Sequence, residues 1–154
     1  MRNLGKWMAV IVVASLCGAV SGFGLAEREA ILSKIRGPVE VRIQGGDWQK
    51  AQARMILHEK DEIRTAVRGF VEVLLDPEGS AGRLELNEKS HLRLSMLTWN
   101  PALGEKSTFL DLAIGKVLVH AEKLNPASKF EIRIPTATTG VRGTVFEVSV
   151  EEKR

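Results

Sequence analysis

The chain has 154 residues, 27% charged and 44% apolar, a balance that builds one folded domain plus an appendage and excludes a disordered polymer. Its formal net charge is +3, but Arg2 and Lys6 lie in an acid-free stretch of 26 residues; without it the count becomes 22 − 2 = 20 basic against 19 acidic. Near-neutrality excludes the electrostatic footprint of a nucleic-acid binder, and a chain with no tyrosine has too few aromatics for a base-stacking platform.

Arg2 and Lys6 precede the apolar run from Trp7 to Leu16, and small residues cluster between Gly18 and Ala26. That order of charge, apolar run and small residues is a secretory signal, with Gly24-Leu25-Ala26 as the cleavage motif and Ala19-Val20-Ser21 as the second choice. If retained, Trp7 to Ala26 has the length of a membrane anchor helix. The single cysteine, Cys17, lies inside this leader and follows Leu16 rather than a small residue, so it is not read as a lipidation site. The remaining chain has no thiol for a disulfide, a nucleophile or a cysteine metal site. The expected organisation is a leader over 1–26 and a β domain over 27–151.

Glu27 to Arg36 fits either one helical turn, from the spacing of Ile31 and Ile35, or a first strand. Val39, Val41 and Ile43 then alternate with polar residues up to the Gly45-Gly46-Asp47 turn. Met55-Ile56-Leu57 is a short apolar element. Val71, Val73 and Leu75 stop at Asp76-Pro77-Glu78-Gly79-Ser80, where proline presets φ and glycine relaxes the exit. Leu84 and Leu86 lead to a hairpin-length connection at Asn87 to Ser90, followed by an inward face of Leu92, Leu94 and Met96. Thr98 to Ser107 reads as the longest irregular stretch. Leu110, Leu112 and Ile114 form a face, Gly115-Lys116 a tight joint into Val117 and Val119, and Phe130, Ile132 and Ile134 another face. In the last strand Phe146, Val148 and Val150 alternate with Glu147 and Ser149. After residue 37 no segment keeps a helical period over a helical length. The prediction is an all-β fold: a single irregular β-solenoid-like or sandwich-like domain of many short strands behind an N-terminal signal or anchor helix.

The C-terminal run Gly140-Val141-Arg142-Gly143-Thr144, with Phe146 and Val148, resembles the closing signature of the FecR-domain family. Upstream, Gly37-Pro38-Val39-Glu40-Val41, Trp48 with Ala51, Asp61-Glu62-Ile63-Arg64-Thr65 and the pair of strands around Gly115 resemble that family's elements in the same order. Lys60 stands where the family usually has glycine before the aspartate, and Ile134-Pro135-Thr136 permutes its threonine-proline. The resemblance implies a non-enzymatic envelope module for signalling or protein binding. Family members that regulate sigma factors carry a cytoplasmic segment before a membrane helix. Only six residues precede Trp7 here, so that activity is not expected.

The remaining candidates for chemistry read as structural. His58, His91 and His120 fall on three elements without ligand spacing, so no metal and no cofactor is expected. No serine has a nucleophile context, and Asp61, Glu62, Asp76, Glu78 and Asp111 read as turn or edge charges rather than a catalytic pair, so no catalytic residue is assigned. Trp48 is expected in the core. Trp99, beside Asn100-Pro101, is the candidate contact surface for the partner, an envelope protein or alternatively a cell-wall glycan. Counting by twos from Phe146 points Arg142 inward. Either a bulge at Gly143 turns it out, or its guanidinium stitches carbonyls or a carboxylate, Asp61 or Asp111, at the end of the core.

Overall fold

The computed structural model describes residues 24–121, 125–140 and 145–151. The expected leader helix up to residue 23, with the second-choice cleavage motif Ala19-Val20-Ser21, lies outside these residues, as do Val141 to Thr144 of the signature. The described chain is all-β, and Glu27 to Arg36 is extended: β1 (Ala26–Glu27) is followed by β2 (Ala30–Arg36). A bulge at Ser33 interrupts the alternation, and Ile31, the first of the two isoleucines with helix-like spacing, is not among the core residues. Leu32 opposes Val73, Lys34 opposes Glu72 and Ile35 opposes Val71, so Leu32 and Ile35 meet the core three positions apart.

The other strands are β3 (Val39–Arg42), β4 (Trp48–Lys50), β5 (Ile56–Leu57), β6 (Glu62–Thr65), β7 (Phe70–Leu74), β8 (Arg83–Leu86), β9 (His91–Asn100), β10 (Glu105–His120), β11 (Lys129–Ile134), β12 (Ala137–Gly140) and β13 (Val145–Val150). They form one curled sheet whose central order is β4-β3-β6-β9-β10-β8-β7-β2-β5. The long β10 belongs to both halves. Its first part pairs with β9 and, in parallel, with β11; its second part pairs with β8 and β13. That second part also carries the chain across the molecule, which is how a parallel neighbour becomes reachable without a helix.

The two halves close on one core in sandwich fashion. Val41, Ile63, Leu92 and Leu112 form a transverse row on one half, and Leu32, Val73, Leu84 and Val119 a row on the other. All eight are buried, each stabilising the fold by roughly 1.5–3 kcal/mol. Phe146, Val148 and Val150 of β13 pack on the edge of this core, with Phe146 edge-on to Phe130 at 6.3 Å. The crossing of β10 sits at Gly115, whose φ is +97° and whose missing Cβ would fall 2.1 Å from Ser90 Oγ. Ser90 Oγ accepts from Lys116 N at 2.9 Å, and Thr65 Oγ1 accepts from Ser90 N at 3.0 Å, pinning the crossing to β6 and β9.

Three expectations change. Asn87 to Ser90 is not a hairpin: β8 pairs with β7 and β10, so the segment passes from one half to the other. Thr98 to Ser107 is not irregular but the β9–β10 hairpin, paired from Asn100–Glu105 down. Within it a bulge at Ser95 shifts β9 by one residue, so Leu97 is buried while Met96 is 38% exposed.

Candidate functional site

The same bulge decides where Trp99 points. Leu97 is inward, so Trp99, two residues on, faces the core side, but at the open end of the two layers, where the residue is 40% exposed. Opposite it on β10 stands Lys106, in register with Trp99, as Ala26 of β1 is on the other side. The space between the layers here is a mouth of about 420 Å³. Its rim is Pro77, Glu78 and Ser80 of the β7–β8 turn, with Glu27 and Glu29 from the first strands. A larger groove of about 730 Å³ lies beside it on the outer side of Glu27 and Thr98, lined mainly by charged and polar residues such as Lys60 and Arg93. The mouth has the features of a specific site: an aromatic wall and a buried carboxylate.

Its floor is Arg28, a residue the motif reading passed over. Arg28 is 6% exposed, and its guanidinium donates four hydrogen bonds: Nε to Thr98 O at 3.0 Å, Nη1 to Leu75 O at 3.1 Å, Nη2 to Ser107 O at 2.9 Å and to Thr108 Oγ1 at 2.5 Å. It therefore ties β9, β10 and the end of β7 together, the backbone-stitching role expected of Arg142. A signal was present. Counting back by twos from Leu32 and Ala30 puts Arg28 on the inward face. Burial pulls the Arg28 pKa below its ordinary value, and the charge of Asp76 partly restores it.

Asp76 is the second buried charge, 6% exposed. Its Oδ2 accepts from Lys106 Nζ at 2.8 Å and from Ser80 Oγ at 2.7 Å, while among the described residues its buried Oδ1 has no partner. Burial works to raise the Asp76 pKa, but the hydrogen bonds from Lys106 and Ser80 outweigh it and hold the carboxyl below its ordinary value. The mouth thus has an ion pair at its base, and at its rim the carboxylates of Glu27 and Glu78, which have no partner among the described residues.

The other sequence candidates lie elsewhere. Gly140 ends β12, with nothing among the described residues within 4 Å of where a Cβ would sit, and Val148 opposes Val117. Asp61 is fully buried and accepts from the amides of Gln44 and His58, both at 2.8 Å, so it locks a turn; Asp111 accepts from Ser95 Oγ and lies 3.6 Å from Arg133. Glu62 takes Arg42 at 2.6 Å and His91 at 2.7 Å; burial raises its pKa, and these two partners more than reverse that. The three histidines meet three different glutamates: His58 with Glu29, His91 with Glu62 and His120 with Glu85. Among the described residues no group of three or more candidate ligands is placed to hold a metal.

Trp48 is not in the core. It lies on the edge strand β4 with its ring under Arg64 at 4.1 Å and Arg42 at 4.9 Å, and edge-on to His91 at 5.6 Å. Its place is the outer end of a charge-alternating row, Arg42, Glu62, Arg93, Asp111 and Arg133, that crosses β3, β6, β9, β10 and β11 in register. An edge ring can be covered by arginines from the neighbouring strands, and that substitutes for burial.

The fold is an all-β domain with an aromatic-walled mouth at one end of its two halves. The FecR protein family model matches residues 61–154, and the chain belongs to that family. This makes it a signalling-related module; FecR proteins are associated with the cell envelope and are not known as enzymes. No curated protein and no solved structure matches the chain.

Proposed function

We propose that the chain is an exported, non-catalytic binding module, periplasmic or secreted, whose β domain over 27–151 acts by protein–protein interaction in envelope signalling. Export rests on the leader's charge, apolar run and small residues. The observation that carries the binding reading is Trp99. A large aromatic side chain is left 40% exposed at the end of a hairpin, over buried polar groups, in a family of signalling modules. Contact surfaces are built around such rigid, half-open aromatics, whereas a purely structural tryptophan is covered.

The test is retention from envelope extract on the immobilised protein. A protein partner lost with Trp99→Ala supports this reading. A cell-wall glycan retained instead, and lost with the same change, supports the second reading, a polysaccharide-binding module, which the exposed indole face beside Asn100 also suits. Mass spectrometry of the exported protein reads the processing point. Cleavage after Ser21 keeps the pairing of Ala26 with Trp99, and cleavage after Ala26 removes it.

A further inference from the structure

The charges at the mouth are unequally engaged. Of its two cations, Arg28 is consumed by Leu75, Thr98, Ser107 and Thr108, and Lys106 by Asp76 and Ser80. The carboxylates of Glu27 and Glu78 have no ion-pair or hydrogen-bond partner among the described residues, and Glu29 has only His58 at 3.7 Å. With Ala26 still attached ahead of Glu27, a ligand entering the mouth meets two or three uncompensated negative charges, the face of Trp99, and a buried carboxylate, Asp76, with one oxygen lacking a donor among the described residues.

We infer that this mouth receives a lysine or arginine side chain presented by the partner protein, which deepens the protein-binding reading and rests on it. Each feature selects the same chemistry. A guanidinium or ammonium is rich in N–H donors and carries no acceptor, so it can satisfy the Asp76 oxygen without creating a new orphan. Its charge offsets Glu27, Glu29 and Glu78, and its flat or compact head packs on the indole face as a cation–π contact. The alkyl stem fits beside Pro77. An acidic peptide or anionic polymer is repelled by the rim. A neutral sugar can donate to Asp76 but leaves the rim charges uncompensated.

Nuclear magnetic resonance on the exported, nitrogen-15-labelled protein reads this directly, because Trp99 and the distant Trp48 give separate indole signals. The probe is N-acetyl-glycyl-arginyl-glycine amide, with the citrulline and glutamate analogues and a neutral trisaccharide as comparisons. The expected result is a saturable shift of the Trp99 indole with the arginine peptide and none at Trp48. Affinity should fall about tenfold with citrulline and several-fold with Glu27→Gln or Glu78→Gln, both surface changes outside the Arg28 network. It should also weaken with added salt. No saturable shift, an equal response to citrulline, or a stronger response to the trisaccharide overturns the inference. Parallel retention assays separate the two levels. If the same envelope protein is held equally by wild type, Glu78→Gln and Trp99→Leu, the mouth assignment falls and the protein-binding reading stands. If wild type retains no protein at all, the reading itself falls.

Discussion

Replacing Arg28 tests whether the mouth is a built structure. Its guanidinium makes four hydrogen bonds to β9, β10 and the residue after β7. Hydrogen bonds to a charged group net about 1.5–3 kcal/mol each, but four cannot simply be added, because the cost of desolvating the guanidinium disappears with it. Removing one member of a buried charged network costs about 3–5 kcal/mol, and Arg28→Ala is expected to fall in that range. That is a large share of the roughly 5–15 kcal/mol that holds a domain folded. Arg28→Lys keeps the charge but not the planar fork and should cost about 2–3 kcal/mol; Arg28→Met, which keeps the stem, should lie near the alanine value. Urea unfolding followed by far-ultraviolet circular dichroism measures all three. A loss below about 1 kcal/mol for Arg28→Ala, or a lysine variant as stable as wild type, refutes the stitching role.

Three further outcomes follow from the fold. Gly115→Ala puts a methyl group 2.1 Å from Ser90 Oγ and 2.4 Å from Ser90 Cα at a φ of +97°, so it should cost at least about 3 kcal/mol in the same unfolding assay, and Ser90→Gly should not restore it fully. Lys60 occupies the left-handed region at φ +72°, so Lys60→Gly should stabilise by about 0.5–1 kcal/mol; a loss of stability would show that the lysine side chain matters there. Asp76 and Glu62 are held below their ordinary pKa as described, and Glu72 is held low by the hydroxyl of Ser33 against the opposing effect of burial. Carboxyls depressed in the folded state contribute stability that is complete above their unfolded pKa, about 4, and is lost as pH falls through the folded values. Melting temperature should therefore drop below about pH 4, and Asp76→Asn should make that drop shallower; an unchanged slope contradicts the assignment.

Most strands were legible because alternation survives wherever a strand is regular: Val71 and Val73, Leu84 and Leu86, Phe130 and Ile132, and Phe146, Val148 and Val150 all face the core as their spacing predicts. The errors fall at bulges. One inserted residue at Ser33 puts Leu32 and Ile35 on the core three positions apart and breaks the alternation, and one at Ser95 exchanged Met96 for Leu97 and turned Trp99 toward the mouth. Bulges leave little trace in composition, since they are fixed by pairing with distant strands. Trp48 was misplaced for a related reason. Only the register of β4, β3 and β6 brings Arg42 and Arg64 over its ring. Lys60 runs the other way. The resemblance marked its position as a usual glycine, and its positive φ gives the physical reason. The mouth itself required residues 28, 76, 99 and 106, which come together only through the closure of the two halves.

The central claim, that the domain works by binding a protein at the Trp99 mouth, is tested most directly by site-specific photocrosslinking in the envelope. A photoreactive residue at Ser80, on the rim, is compared with one at Val67, an exposed residue at the opposite end of β7. The account predicts a discrete protein adduct from position 80 that the arginine peptide competes away, and none from position 67. Adducts of equal yield from both positions, or an adduct from position 80 that the peptide leaves untouched, would contradict it.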